Sequence, residues 1–461
     1  MAELQSSWAY PDDWEGSRLA DDVDTSELVN PEHLSTDELA ALQAKYAVSG
    51  IVPSWGGQYP SKVAPARMEG FRLWTPEGQE VLDFHQDILS MSLAWAHPGI
   101  EAAVQAARQK YPGVTMIDTT RYSEPALLLA RDMVEAMRPY GDFRALFAST
   151  GTSANNQAIR LAMGALGGED KTILIVLEGG YGGADLEMNA KCEVPGWRGL
   201  TSLKQNALVL KRDGSNLQAI KAAIKATGRK PIFHGEDGQQ GVGGFHVVEA
   251  QVMKDVVELV HEEGGLVILD NVQAFVRNGA GLIGADRWAD KENPKHKVDI
   301  ATFAKGLGNG RPVAVALVQE DVLEAVKASG QPGATFDTFS QPTDGMVAAR
   351  EVWRRSNEGR LWQNVAAMGE RFREQLTAIA GRHAVVEEVI GEGGLIGIRL
   401  DTAARVVAAF QNGPKNGVEF AKGGLGGTVL RLPLPFNATE ALIDEGSNRI
   451  EDTLKAVQAA A

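Results

Sequence analysis

Between Tyr140 and about Gln319, short apolar and β-branched runs alternate with helical stretches. The runs read RALFAS, TILIVLE, ALVLK, PIFH, GLVILD, DIATFA and PVAVALV. Strands that are apolar at nearly every position are covered on both faces, so this patterning predicts a mostly parallel, seven-stranded sheet packed between helices. The helix over 248–263 has the clearest period: Val252, Val256, Leu259 and Val260 recur at helical spacing, and Gly264 stops it. Upstream, GFRLWTPEGQEVLDFHQD alternates apolar and polar positions around Pro76-Glu77-Gly78, which is a hairpin pattern. Beyond Gln341 one long helical run leads away from the sheet. It is followed by the short strands LIGIRL and TVLRLPL and a final helix over about 440–457. These elements predict an α/β protein with a large domain over 113–345. A smaller α+β domain draws on 51–112 and 346–461, and 1–50 form an N-terminal extension with one helix near Thr36–Tyr46. There is no repeat of fixed period and no low-complexity tract.

Composition adds exclusions. A chain of 461 residues, 44% hydrophobic and 23% charged, can bury a large core without disulfides. The formal charge of −15 argues against nucleic-acid or anionic-membrane partners. Cys192 is the single cysteine, which excludes an intrachain disulfide framework and a multi-thiolate metal site, and no metal is expected. The first residues are acidic and lack the apolar core of a secretory signal, and no apolar stretch reaches the roughly 18 residues of a membrane span. A cytoplasmic protein acting on small molecules is the expectation.

Three motifs carry chemistry. In RALFASTGTSANNQAIRLAM a strand ends near Ser149, turns through Thr150-Gly151-Thr152 and enters a helix with Ser153 as its cap. Free N–H groups at a helix start attract anions, and Gly151 lets a phosphate approach the main chain, although many such joints bind nothing. In GLVILDNVQ, Asp270 ends a buried strand, the edge at which ligands gather in open α/β sheets; it is equally readable as a helix cap or loop residue. Thirty-five residues on, Lys305 lies between the apolar strand DIATFA and a loop with Gly306, Gly308 and Gly310. Desolvation there lowers a lysine's pKa and makes it nucleophilic, the setting of a Schiff-base lysine. Other anchors fail: no GxxxxGK[ST], HExxH or GxSxG occurs, and the GxGxxG at 279–284 begins nine residues past the nearest strand.

A phosphate cradle, a buried Asp and a desolvated Lys are the parts that hold pyridoxal 5′-phosphate (PLP). With them, from about Gly70 to about Thr439, the sequence resembles the class III PLP-dependent aminotransferases of fold type I. The resemblance implies that Gly151 and Thr152 bind the phosphate, Tyr181 stacks on the cofactor and Glu236 is the acidic residue of a Glu-Pro-Val-Gln stretch. It implies that Asp270 partners the pyridine nitrogen, Val272 packs the other ring face and Gln273 contacts the phenolic oxygen. Lys305 is then the Schiff-base lysine, and Thr338 reaches the phosphate of a neighbouring subunit in a homodimer with shared sites. Arg431 grips a substrate carboxylate. The implied activity moves an amino group between an amino donor and a keto-acid acceptor, with Lys305 and Asp270 as catalytic residues.

There are departures as well. Gly182-Gly183-Ala184 follow Tyr181 where the family usually has Gly-Arg-Thr after His or Trp, so an arginine that helps bind carboxylates is missing. Asp237-Gly238 replace Pro-Val, Asn271 replaces Glu, and Gly241 stands where some members carry a glutamate that pairs with the carboxylate-binding arginine. The loop to Arg277 is one residue short, and without the glutamate Arg431 is available to an ordinary α-amino acid. The same scaffold also supports a racemase or epimerase, a decarboxylase or a C–C bond-forming enzyme.

Overall fold

The computed structural model describes residues 34–46, 65–183, 207–330 and 337–459. Its first strands are β1 (Arg67–Glu69), β2 (Arg72–Trp74) and β3 (Glu80–Phe84). β2 and β3 pair antiparallel, with Thr75 N donating to Gln79 O and Gly78 at φ +82° in the turn, as the alternating pattern predicts. After the short β4 (Met116–Ile117), each of the seven apolar runs supplies one strand of a single sheet. They are β5 (Phe143–Ala148), β6 (Thr172–Leu177), β7 (Ala207–Leu210), β8 (Lys230–Glu236), β9 (Leu266–Asp270), β10 (Ile300–Phe303) and β11 (Ala314–Gln319). The order is β5-β11-β10-β9-β8-β6-β7. β6 through β10 pair parallel in that order, and β11 alone runs against the rest. The carboxyl ends of β5, β9 and β10 and the start of β11 therefore share one edge.

β12 (Gln341–Pro342) pairs with β4. The last strands are β13 (Val386–Glu392), β14 (Leu395–Leu400), β15 (Val418–Gly423) and β16 (Val429–Pro433). They join β1–β3 in a second seven-stranded sheet, ordered β1-β2-β3-β15-β16-β14-β13. The seam is the parallel pair β3/β15, so strands from both ends of the chain build this layer.

Helices α1 (Thr36–Tyr46), α2 (Pro98–Lys110), α3 (Gly151–Ala165) and α4 (Ala250–Glu262) are followed by α5 (Thr343–Glu358), α6 (Leu361–Ala380) and α7 (Glu440–Ala459). α4 buries Met253, Val256, Val257, Leu259 and Val260, while Val252 is only partly buried; the left-handed Gly264 (φ +71°) follows its end. The run after Gln341 is two helices rather than one. Gly359 ends α5, and Arg360 at φ +46° turns the chain into α6. Phe275 stacks on Trp353 of α5 at 5.3 Å and meets Phe303 and Phe436 edge-on, a core beneath the β9 and β10 ends. The second sheet has its own core, where Phe84 stacks on Phe372 at 5.4 Å. The stretch carrying Cys192, Ala184 and most of the N-terminal extension lie outside the described residues.

Candidate active site

The shared edge of the large sheet opens on a cavity of 380 Å³. Its described lining includes Gly151, Thr152, Tyr181, Asp270, Val272, Gln273 and Lys305. Gly151 and Thr152 open α3. The helix cap is Thr150 rather than Ser153: its backbone is extended, and its hydroxyl accepts from Ser153 N at 3.1 Å. The Gly151 and Thr152 amides precede the first i→i−4 bond and stay available. A Cβ on Gly151 would sit 3.0 Å from both Val272 methyls, so glycine keeps this approach open.

Asp270 is buried at the end of β9. One carboxylate oxygen accepts from Val272 N (2.8 Å) and the other from Asn155 Nδ2 (2.7 Å). Burial pushes this carboxyl up to about 6, against the pull of those bonds and of the Lys305 charge. It remains mostly anionic at neutral pH.

Lys305 follows β10 in the left-handed region (φ +48°), a conformation that costs a non-glycine residue about 1–3 kcal/mol unless its surroundings enforce it. They do. Ser92 Oγ donates to Gly306 O (2.6 Å), Asn309 Oδ1 accepts from Ser92 N and Leu93 N, and Asn309 Nδ2 donates to Ala94 O. Desolvation brings the Lys305 amine down to about 8, reinforced by the Arg431 guanidinium and opposed by Asp270 and Glu236. A neutral, nucleophilic amine is therefore accessible near physiological pH.

Three expected residues do not line this cavity. Glu236 lies one strand over, in register with Asp270, and its Oε1 accepts from Gly241 N at 2.6 Å. Burial pushes its carboxyl up to about 8. Arg431 is fully buried on β16, donating from Nε to Lys422 O at 3.0 Å, with its guanidinium 5.5 Å from the Phe245 ring. Thr338 is exposed, although its neighbour Asp337 accepts from Ser149 N and Oγ at the cradle's edge. The structure also accounts for one departure: a Cβ at Gly241 would fall 2.1 Å from the Gln273 amide, so Gln273 fills the space a longer side chain there would need.

Asn155 went unread in the sequence. Its Nδ2 donates to Asp270 and to Gly182 O (2.9 Å), and its Oδ1 accepts from Thr302 Oγ1 (2.6 Å). The only signal was its place just inside the helix after the cradle, which does not separate it from Asn156.

The residues fit PLP on two observations. Gln273 Oε1 is buried with no hydrogen-bond partner among the described residues, on a side chain that lines the cavity. The donor set also supplies an anion cradle, a buried carboxylate and an amine within one cavity. A family profile described as "Aminotransferase class-III" matches residues 56–454. The chain is 27% identical over 397 residues to the acetylornithine aminotransferase of Caldanaerobacter subterraneus subsp. tengcongensis, covering 85% of this chain and 94% of that one. It is 27% identical over 429 residues to a 5-aminovalerate aminotransferase of Pseudomonas aeruginosa, covering 86% and 94%. In fold it is similar to a Bacillus anthracis aminotransferase at a TM-score of 0.81 and 20% identity, covering 92% and 100%. With the expected fold and activity borne out, the chain belongs to the class III aminotransferases and is a PLP-dependent enzyme.

Proposed function

We propose that the cavity around Lys305 is where this enzyme holds PLP and moves an amino group between an amino acid or amine and a keto acid. The convergence of the Lys305 amine, the Asp270 carboxylate and the Gly151-Thr152 amides on one cavity carries this reading. When bound, PLP supplies an electron-withdrawing ring that stabilises negative charge at the donor's carbon. The Lys305 amine would anchor the cofactor, then take a proton from that carbon and return it. The Asp270 anion would keep the ring nitrogen protonated, an electrostatic contribution strengthened by burial. Gly151 and Thr152 would hold the phosphate, Tyr181 and Val272 the ring, and Gln273 the phenolic oxygen, with Glu236 behind them. Arg431 would take a substrate carboxylate once the donor enters.

The large domain in this reading is 113–345. The small domain is 51–112 with 346–461, α5 straddles the second boundary, and 1–50 form an extension. A homodimer sharing its sites through Thr338 is supported by the exposed Phe339 and Tyr122. Cytoplasmic residence is supported by the single cysteine. Among the described residues no helix is long and apolar enough to cross a membrane.

The test is the visible spectrum of the purified holoenzyme, recorded before and after a panel of amino donors. Loss of the visible band with one donor, restored by a keto acid, is the expected result. A band that persists while the donor racemises or loses CO₂ would replace the reading with the corresponding chemistry. A second outcome concerns Asn155. A hydrogen bond to a charged group contributes about 1.5–3 kcal/mol, roughly one to two pKa units. Asn155→Ala is therefore expected to move the acid limb of the kcat/KM profile up by about one unit; a profile superimposable on wild type would remove Asn155 from this role.

A further inference from the structure

The lining of the cavity carries one more charge than the proposed chemistry uses. Among its described residues the charged side chains are Lys305, Asp270 and Arg311. Lys305 and Asp270 offset each other, and Arg311 is balanced only by Glu101, which does not line the cavity. Arg431, which the resemblance assigned to a carboxylate, is fully buried on β16 and does not line the cavity, whereas Arg311 does.

Its position follows from the sheet. β11 runs antiparallel to β5, with Ala314 opposite Ala148. The chain leading into β11 and the chain leaving β5 therefore meet at the same edge of the sheet, and Arg311 lines the cavity together with Gly151 and Thr152 of α3. The Gly310 amide donates to Ser90 O, which fixes the turn that presents Arg311. The guanidinium is only partly committed. Nη2 contacts both oxygens of Glu101 on α2 at 2.8 Å, while Nε and Nη1 have no partner among the described residues. The Glu101 side chain is 48% exposed, and an ion pair at such a rim is weak and readily exchanged.

We propose that Arg311 is a second oxyanion-binding side chain in addition to Arg431, exchanging Glu101 for the cofactor's phosphate or for a substrate carboxylate. Both anions offer two oxygens to a planar fork, and helix amides beside a guanidinium reinforce each other's field. The inference rests on the proposed placement of PLP at Lys305. Binding of PLP by the wild-type chain tests that placement, and only differences among variants test Arg311.

The experiment titrates the full-length apoprotein with PLP and with pyridoxal, which lacks the phosphate, for wild type, R311M, R311K and E101Q. The reconstituted enzymes are then assayed with pyruvate and 2-oxoglutarate as acceptors. If the anion is the phosphate, R311M weakens PLP by about tenfold or more and leaves pyridoxal unchanged. If it is a carboxylate, R311M leaves PLP binding unchanged and raises KM for the keto acids by about tenfold at constant kcat. In either arm E101Q, which frees the fork, shifts the same constant in the opposite direction. R311K, which keeps charge but loses the fork, falls between wild type and R311M. Should R311M fail to fold, R311K and E101Q moving that constant in opposite directions carry the support. The proposal is overturned if both constants stay within about twofold of wild type. It is also overturned if PLP and pyridoxal weaken equally and E101Q copies R311M, the mark of a structural ion pair.

Discussion

Lys305→Ala is expected to lower kcat/KM by about 10⁴-fold or more while leaving the fold intact, because it removes both an acid–base group and the covalent anchor. Single-turnover loss of the visible band with added donor is the direct measurement. The amine that disappears is an unusual one. At a pKa of about 8 rather than 10.5, roughly one-tenth is neutral at pH 7, about 300 times the fraction of an ordinary lysine. The sign follows: in wild type, capture of PLP by the apoprotein rises about tenfold per pH unit below about 8 and levels off above it. Desolvation is the leading cause, so a capture rate still climbing at pH 10 would mean the pocket is wet. Retention of activity in the alanine variant would take the whole proposed site down with it.

Asp270→Asn is expected to cost about 10²–10³ in kcat through the lost negative charge. It should also cost about 1–3 kcal/mol of stability, because the substitution cannot satisfy its neighbours. Both carboxylate oxygens accept hydrogen bonds, one from Val272 N and one from Asn155 Nδ2. An amide must point its own N–H₂ at one of those donors. Asn155 cannot flip to accommodate it without surrendering its bond to Gly182 O. Denaturant midpoints and kcat measured on the same preparations separate the two costs. A variant with kcat within about threefold of wild type would show that the charge plays no part in the chemistry.

The seven-stranded sheet was legible because its inner strands are covered on both faces and read as apolar runs such as TILIVL and AVALVQ, while the edge strands β5 and β7 are only partly covered. The same patterning put Asp270 and Lys305 at strand ends, since a polar residue stops such a run. The helical run after Gln341 was read as one helix although Gly359 carries the same stop signal as Gly264, because apolar periodicity resumes directly beyond it in LWQNVAAMGERF. Thr150 rather than Ser153 caps α3 because the residue with extended backbone, one before the first turn, is the one whose hydroxyl can reach forward to accept from a free amide, that of Ser153. Both residues are good caps by type, so composition did not choose between them.

The sequence by itself determined the α/β class, the strand-end positions of Asp270 and Lys305 and the glycine at the cradle. These are local consequences of burial and backbone freedom, carried by neighbours in the chain. Tertiary structure decided which distant residues act on them. Asn155 and Thr302 meet at Asp270 from α3 and β10, and Ser92 and Asn309 lock the Lys305 turn across more than two hundred residues of chain. Arg311 and Gly151 line one cavity because β11 runs against β5, which brings the start of one strand to the end of the other. Contacts of this kind depend on strand register and loop closure, which hydrophobic periodicity does not encode.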